Sequence, residues 1–392
     1  MHKVLVLDAN QRSALAIIRS LGRLSLGVIA ADHRKDALGA ASKYASASVS
    51  YPDPATSPGA FIREIRILVD RLAINTIVPA TDLTTMLLVS QPDLFQFARL
   101  AAPTAASYEA LTDKARLLEL ATRLGVPVPM TRIADAKAEI VKASHDIGFP
   151  IVLKPARSRY LKGDRVLSTR VQIVNDSDAL ERALPHQEWL GDIPCLVQRF
   201  VPGHGAGIFA LFGPSGPAAW FAHRRIREKP PSGGVSVLCE SVAIDPTMQA
   251  AAAKLLSAAD WTGVAMVEFR VADDGTPYLM EVNGRFWGSL QLAIDCGVDF
   301  PRLSYQVSQS LPVEPPQTYA VGRRLRWLLG DLDSLLIQLR HGGTPPRAKR
   351  KAVSEFARSF SDPQCRQEIL RISDPRPGIR EFAQWLTALR SP

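Results

Sequence analysis

Residues 263–289, GVAMVEFRVADDGTPYLMEVNGRFWGS, constrain this chain more tightly than any other stretch. Val264 to Val271 is rich in β-formers, Asp273-Asp274-Gly275 is a hairpin signal, and an apolar run resumes from Thr276 to Val282. A two-residue loop at Asp274-Gly275 places Glu268 directly opposite Glu281 on one side of the sheet. Asn283, two residues further on, shares that side. A longer loop, beginning at Ala272, shifts the register and breaks the pairing.

Two carboxylates face to face repel unless a cation lies between them. Oxygen ligands of this kind suit magnesium, which takes one or two carboxylates together with phosphate oxygens. Arg285 follows within reach of the same point. The bland alternative is a solvent-facing hairpin with two unrelated glutamates; Met266, Leu279 and Met280 favour a half-buried sheet instead.

The remaining composition bounds the answer. A chain of 392 residues, 46% hydrophobic and 22% charged, predicts two or three globular domains. No apolar run reaches membrane-spanning length, and MHKVLVLDAN enters a strand directly without signal-peptide features, so a cytoplasmic location is expected. The four cysteines form no CxxC pair and read as buried free thiols. From Val321 to the end the chain holds 14 Arg or Lys against 7 Asp or Glu, which is +7 of the total +9. Such a tail is commonly a solvated basic face; an acidic partner is the alternative.

In chain order, a strand near 3–7, a helix over 14–21 and a strand over 26–31 make a β-α-β opening to a parallel sheet. The first turn, DANQRS, lacks G-x-G-x-x-G, which argues against a nicotinamide cofactor. A strand at 76–79 ends in Pro79-Ala80-Thr81-Asp82 at the edge where such sheets place ligands. Asp82 either touches a substrate or, as the favoured reading, caps the next helix. The segment 105–125 is helical, with Thr112-Asp113 inside it or dividing it. Lys114, read alone, is a surface lysine. Lys154 ends the apolar strand FPIVLKP, where an ammonium is costly to bury without an anion.

The loop from Ala156 to Arg165 carries one glycine and several basic residues. Cys195 to Val201 is a strand running into Pro202-Gly203-His204-Gly205. After a hairpin around Gly213–Gly216 comes HRRIREKPPSGG. This is either a charged edge strand or a mobile loop for an acidic substrate group, with Arg225 and Arg227 on one side of the strand. Residues 247–260 form an alanine-rich helix beneath the first hairpin. Beyond residue 312, helical patches surround the linker-like HGGTPPRAKRK.

VEFRV…PYLMEVNGRFWGS resembles the metal-binding end of the ATP-grasp family, TDKARLLELATRLGVPVPMT resembles the opening of its nucleotide domain, and LVQRFVPG resembles the hinge between its lobes. The resemblance implies an α/β protein, α+β within the ATP-grasp lobes. It predicts a Rossmann-like domain over 1–105, a two-lobed ATP-grasp domain over 106–311 with its hinge near 198–203, and a basic, mainly helical extension over 312–392. It also implies ATP held by Lys114, Lys154, Gln198, Arg199 and Val201, and Mg2+ or Mn2+ held by Glu268, Glu281 and Asn283. Arg285 and Lys154 are then catalytic, and Arg225, Arg227 and Asp82 contact substrate. The implied activity is ATP-dependent condensation of a carboxylic acid with an amine through an acyl phosphate. The expected partners are small-molecule acids and amines rather than nucleic acid or membrane, and a homo-oligomer is compatible. Two rivals are bicarbonate activation of the carboxylase type, and a non-enzymatic nucleotide-binding module whose basic tail docks nucleic acid.

Overall fold

The structure is a computed structural model that describes residues 2–91, 98–231, 233–314 and 316–390. Ser232, in the Pro-Pro-Ser-Gly-Gly turn, lies outside the described residues. The opening β-α-β pattern becomes a five-stranded sheet in the order Ala47–Ser50, Gly27–Asp32, Lys3–Val6, Thr76–Val78, Arg99–Leu100. Every pairing in it is parallel. Its central strands are apolar on both faces because both are covered. Val4 and Val6 pack with Ile17 and Ile18 of the helix Arg12–Gly22, while Leu5 and Leu7 pack with Phe61 and Ile65 of the helix Pro58–Leu72 and with Leu83 and Leu87 of the helix Asp82–Val89.

The expected helix over 105–125 is two helices, Ala105–Thr112 and Lys114–Arg123. Asp113 separates them as the cap of the second, its Oδ1 accepting the N–H groups of Ala115 and Arg116. A small antiparallel sheet follows, in the order Gln172–Val174, Ile151–Pro155, Cys195–Arg199, Thr131–Ala134. The helices Lys137–Ile147 and Ser177–Ala183 cover its outer face. The loop after Lys154 folds into a two-stranded flap, Arg159–Lys162 with Arg165–Ser168. The flap rests on the first domain: Val166 donates its N–H to the Ala55 carbonyl and buries its side chain in that domain's core.

The largest sheet runs Pro277–Asn283, Gly263–Val271, His204–Gly213, Gly216–Lys229, Val235–Ser241, Arg324–Arg326, Cys365–Gln367. One face packs on the alanine-rich helix Pro246–Ala258, the other on Leu290–Asp295, Phe300–Ser308 and the first helix of the chain. Two of its strands come from beyond residue 312, so the basic tail is part of this sheet.

Three helices complete the tail: Leu328–Arg340, Pro346–Arg358 and Arg376–Arg390. The linker expected at HGGTPPRAKRK is mostly helix, because Pro346 occupies a first-turn position where its missing N–H costs no bond. Buried ion pairs fix the tail in place. Arg19, 2% exposed, donates to Asp374 and to the carbonyls of Glu368 and Ile369. Among the described residues no helix is long and apolar enough to cross a membrane.

Candidate functional site

The hairpin Gly263–Val271/Pro277–Asn283 pairs Glu268 with Glu281, though not by the expected route. Its loop has three residues rather than two. Ala272 donates to Thr276, Gly275 donates back to Ala272, and Gly275 takes a φ of +85°. This is a turn closed by a left-handed glycine, and it shifts the register by one. A bulge then restores it: Phe269 faces Leu279, Glu268 faces Glu281, and Met280 is left without a partner.

The bulge has a packing cause. In the straight two-residue ladder Met280 faces Phe269 in the core and Leu279 turns to the site. With the bulge, Leu279 is buried beside Val267, Phe269 and Val282, and Met280 is released into the slot between the two antiparallel sheets.

The amide of Asn283 bridges the two carboxylates, donating Nδ2 to one oxygen of Glu268 and one of Glu281, each at 3.1 Å. Burial and the neighbouring Glu281 push the Glu268 carboxyl up. Burial acts on Glu281 in the same sense, but Lys114, the Asn283 amide and Lys154 outweigh it and hold this carboxyl below its ordinary value. The pair is thus split electrostatically, with the lysines on the Glu281 side. Among the described residues no three His, Cys, Asp or Glu side chains gather around one point. Two carboxylates and an amide that can turn its Oδ1 inward fit a hard cation that takes its other ligands from phosphate or water.

Lys114 and Lys154 approach from the other side of the cleft. Lys114 is 7% exposed rather than on the surface, because it begins its helix facing the flap. Its Nζ donates to Ser158 Oγ at 3.0 Å and lies 3.6 Å from Glu281 Oε2. Lys154 Nζ lies 3.5 Å from Met280 Sδ. Burial pulls the Lys154 ammonium down to about 8, Glu281 opposes this, and Lys114 adds to it. The flap's Arg157 is tied to Asp113 and Glu109 and does not reach this point.

Four more candidate residues separate into those at the site and those away from it. Asp82 does not cap its helix. Thr81 does, through its Oγ1 and the Thr84 N–H, and Asp82 in the first turn pairs with Arg285 Nε at 2.9 Å. Arg285 also donates to the Phe286 carbonyl and, at 3.5 Å, to Asn283 Oδ1. Arg225 reaches Glu268 at 3.2 Å and Glu228 at 3.1 Å. Arg227 does not join it, because the strand bulges at Ile226 and sends Arg227 into a two-bond pair with the buried Asp331 of the tail.

In the segment expected to form the hinge, Gln198 bonds Thr131, Arg199 donates its N–H to the Met130 carbonyl, and the Val201 carbonyl accepts from Arg270. The slot lined by Lys114, Val128, Lys154, Gln198, Leu279 and Met280 has a volume of about 10 Å3, room for one water. A 910 Å3 cleft lies beyond Arg225, joining His204 and Arg270 to Gln338 and Lys351 of the tail.

Sequence reasoning missed Ser158, Met280 and the division of labour between Arg225 and Arg227. The Thr-Asp-Lys helix-start signal was available for Asp113; no sequence signal announces either bulge.

Residues 194–328 match the family model described as ATP-grasp in the biosynthetic pathway with Ter operon. A carbamoyl phosphate synthase large chain, C-terminal section, of Methanopyrus kandleri is 26% identical over 33% of this chain and 21% of its own length. An uncharacterized protein of Sinorhizobium fredii is 26% identical over 60% and 50%. An N5-carboxyaminoimidazole ribonucleotide synthase of Synechococcus elongatus is 28% identical over 42% and 40%. The chain thus spans half or less of the length of these curated relatives. Among solved structures, a biotin carboxylase of Campylobacter jejuni superposes with a TM-score of 0.65 at 18% identity, covering 83% of this chain and 74% of the other. An N5-carboxyaminoimidazole ribonucleotide synthetase in complex with ADP gives 0.64 at 14% identity over 92% and 96%. An L-amino acid ligase from Bacillus licheniformis gives 0.62 at 16% identity over 79% and 74%.

Proposed function

We propose that this chain is an ATP-grasp enzyme, an ATP- and magnesium-dependent ligase that activates a carboxylic acid as an acyl phosphate and condenses it with an amine. The observation that carries this reading is the convergence of Glu268, Glu281 and Asn283 from one side of the cleft with Lys114 and Lys154 from the other. Acidic and basic groups so arranged match a metal–polyphosphate, with cation ligands on one wall and charge partners for free phosphate oxygens on the opposite one.

Glu268, Glu281 and Asn283 would hold the magnesium, which when bound neutralises phosphate charge. Arg225 now occupies a Glu268 oxygen and would yield it on loading. Lys114 and Lys154 take the remaining charge of the triphosphate, and the hinge at Gln198, Arg199 and Val201 receives the base. The slot beside Lys154 widens to admit it, with Met280 moving off the ammonium.

A carboxylate oxygen attacks the γ-phosphorus in line, ADP leaves, and an acyl phosphate forms. The amine adds to the acyl carbon; collapse forms the amide and releases phosphate and a proton. Arg285, steered by Asp82 and the Phe286 carbonyl, is placed to donate to the developing oxyanion. The domain limits near 105 and 311 belong to this reading, with the first domain supplying Asp82 and the tail anchoring the strand that bears Arg225.

The test is ADP and phosphate release from ATP and magnesium with pooled acids and amines. Release that requires both an acid and an amine, with a condensation product by mass spectrometry, supports the ligase. Release with bicarbonate alone shows carboxylase-type activation. Salt-sensitive nucleic-acid binding without turnover would replace both.

A further inference from the structure

Beside the acidic pair lies a pocket of about 270 Å3, between the helix Asp82–Val89, the helix Ala105–Thr112 and the end of the strand Pro277–Asn283. One part of the lining is apolar: Met86, Val89, Ala105 and the ring of Tyr108. Tyr108 is fixed there, because its ring lies over Gly284 so closely that a Cβ on that glycine would sit 3.1 Å from it. Its hydroxyl donates to the Asp82 carbonyl.

The rest of the lining is polar and carries both signs of charge, with Glu109, Asp113 and Arg157 paired among themselves. Asp82 is on one side, with Arg285 as the partner of only one of its carboxylate oxygens. Lys114 and Arg159 are on the other, beside Asn283 and Glu281.

A ligand complementary to these walls has an ammonium for Asp82, a carboxylate for Arg159, and an apolar body of a few carbons. We infer that this pocket binds an α-amino acid with an apolar side chain as the acid to be activated, with Met86, Val89, Ala105 and Tyr108 setting its size. The inference rests on the ligase reading for what happens to the bound molecule, but not for the binding itself. The orientation follows from the walls: the side chain lies against Met86, Val89 and Tyr108, and the carboxylate lies beside Glu281 and Asn283, where phosphate would be transferred. Amino acids with charged side chains are rejected, because Glu109, Asp113 and Arg157 in the lining are already paired with one another.

The experiment is calorimetric titration of the full chain, loaded with magnesium and a non-hydrolysable ATP analogue, with leucine, phenylalanine, aspartate and lysine. Leucine is expected to bind and aspartate and lysine not to. Ala105 is exposed at a helix start, so Ala105→Phe fills the pocket without disturbing a core. It should weaken leucine by about tenfold or more with the affinity for the nucleotide analogue unchanged. Met86→Ala enlarges the pocket and should shift preference from leucine towards phenylalanine. Failure of every apolar amino acid to bind, equal binding of aspartate and leucine, or an unchanged leucine affinity in Ala105→Phe overturns the inference. ADP release with ATP and an added amine is a separate readout. Leucine binding that Ala105→Phe weakens, without ADP release, supports the pocket and removes the ligase reading; ADP release with leucine affinity untouched by Ala105→Phe does the reverse.

Discussion

Lys154 Nζ lies 3.5 Å from Sδ of Met280, the one residue that the bulge leaves unpaired beside Glu281. The ammonium is 9% exposed and has a thioether for a neighbour where a nucleotide enzyme needs a phosphate. Its lowered proton affinity follows: burial disfavours the charge, and only part is returned by Glu281.

This gives a pH dependence with a definite sign. Lys154 is charged below about 8 and loses its proton as pH rises through that value. In the free enzyme kcat/KM for ATP should therefore fall above pH about 8, while kcat moves less, because bound triphosphate restores the proton. Lys154→Arg, which stays charged, should remove the alkaline limb of the kcat/KM profile. The unfolded chain binds the extra proton between about 8 and 10.5, so this residue's contribution to unfolding free energy rises with pH across that window.

Glu281→Ala should reduce turnover to background while leaving the melting temperature close to that of the parent. The change removes the proposed metal ligand and one of two facing like charges, and the relief of repulsion offsets the loss of Glu281 as partner to Lys114 and Lys154. Near-parental turnover at saturating magnesium would show that the acidic pair does not hold the metal.

Asp331 is 1% exposed and accepts from both Arg227 and Arg326, and the Arg326 guanidinium lies over the rings of Phe356 and Phe360. Asp331→Ala leaves two cations without their shared partner and should cost about 3–5 kcal/mol, read from urea unfolding. Arg227→Ala should cost less, since Arg326 still satisfies the carboxylate.

Arg285→Lys should lower kcat by about a hundredfold or more with ATP affinity retained, because one ammonium cannot meet Asp82, Asn283 and the Phe286 carbonyl together and still face the oxyanion. Pre-steady-state ADP release compared with product release measures it: ADP formation should persist while amide formation slows.

Much of this arrangement was legible in the residues. The parallel domain follows from strands that are apolar on both faces, and the acidic hairpin from β-formers around Asp-Asp-Gly. What was not legible depends on a surplus residue finding its place. Loop length alone did not reveal that Leu279 outcompetes Met280 for the core, nor did strand alternation show that Ile226 bulges and parts Arg225 from Arg227. Asp82 was misassigned as a cap because Thr81, one residue earlier, satisfies the same N–H group and leaves the carboxylate for a partner 203 residues away in sequence. Contacts of such range are invisible to local pattern.

The irregularity at Met280 separates two properties that a straight hairpin would lock together. Excising that single residue would straighten the ladder and still leave the acids opposed, with Leu279 and Val282 on their buried side; only the lining next to Lys154 would change. The proposed metal chemistry and the proposed fit of the nucleotide can therefore drift apart in evolution, the first anchored by register and the second adjustable by one optional side chain.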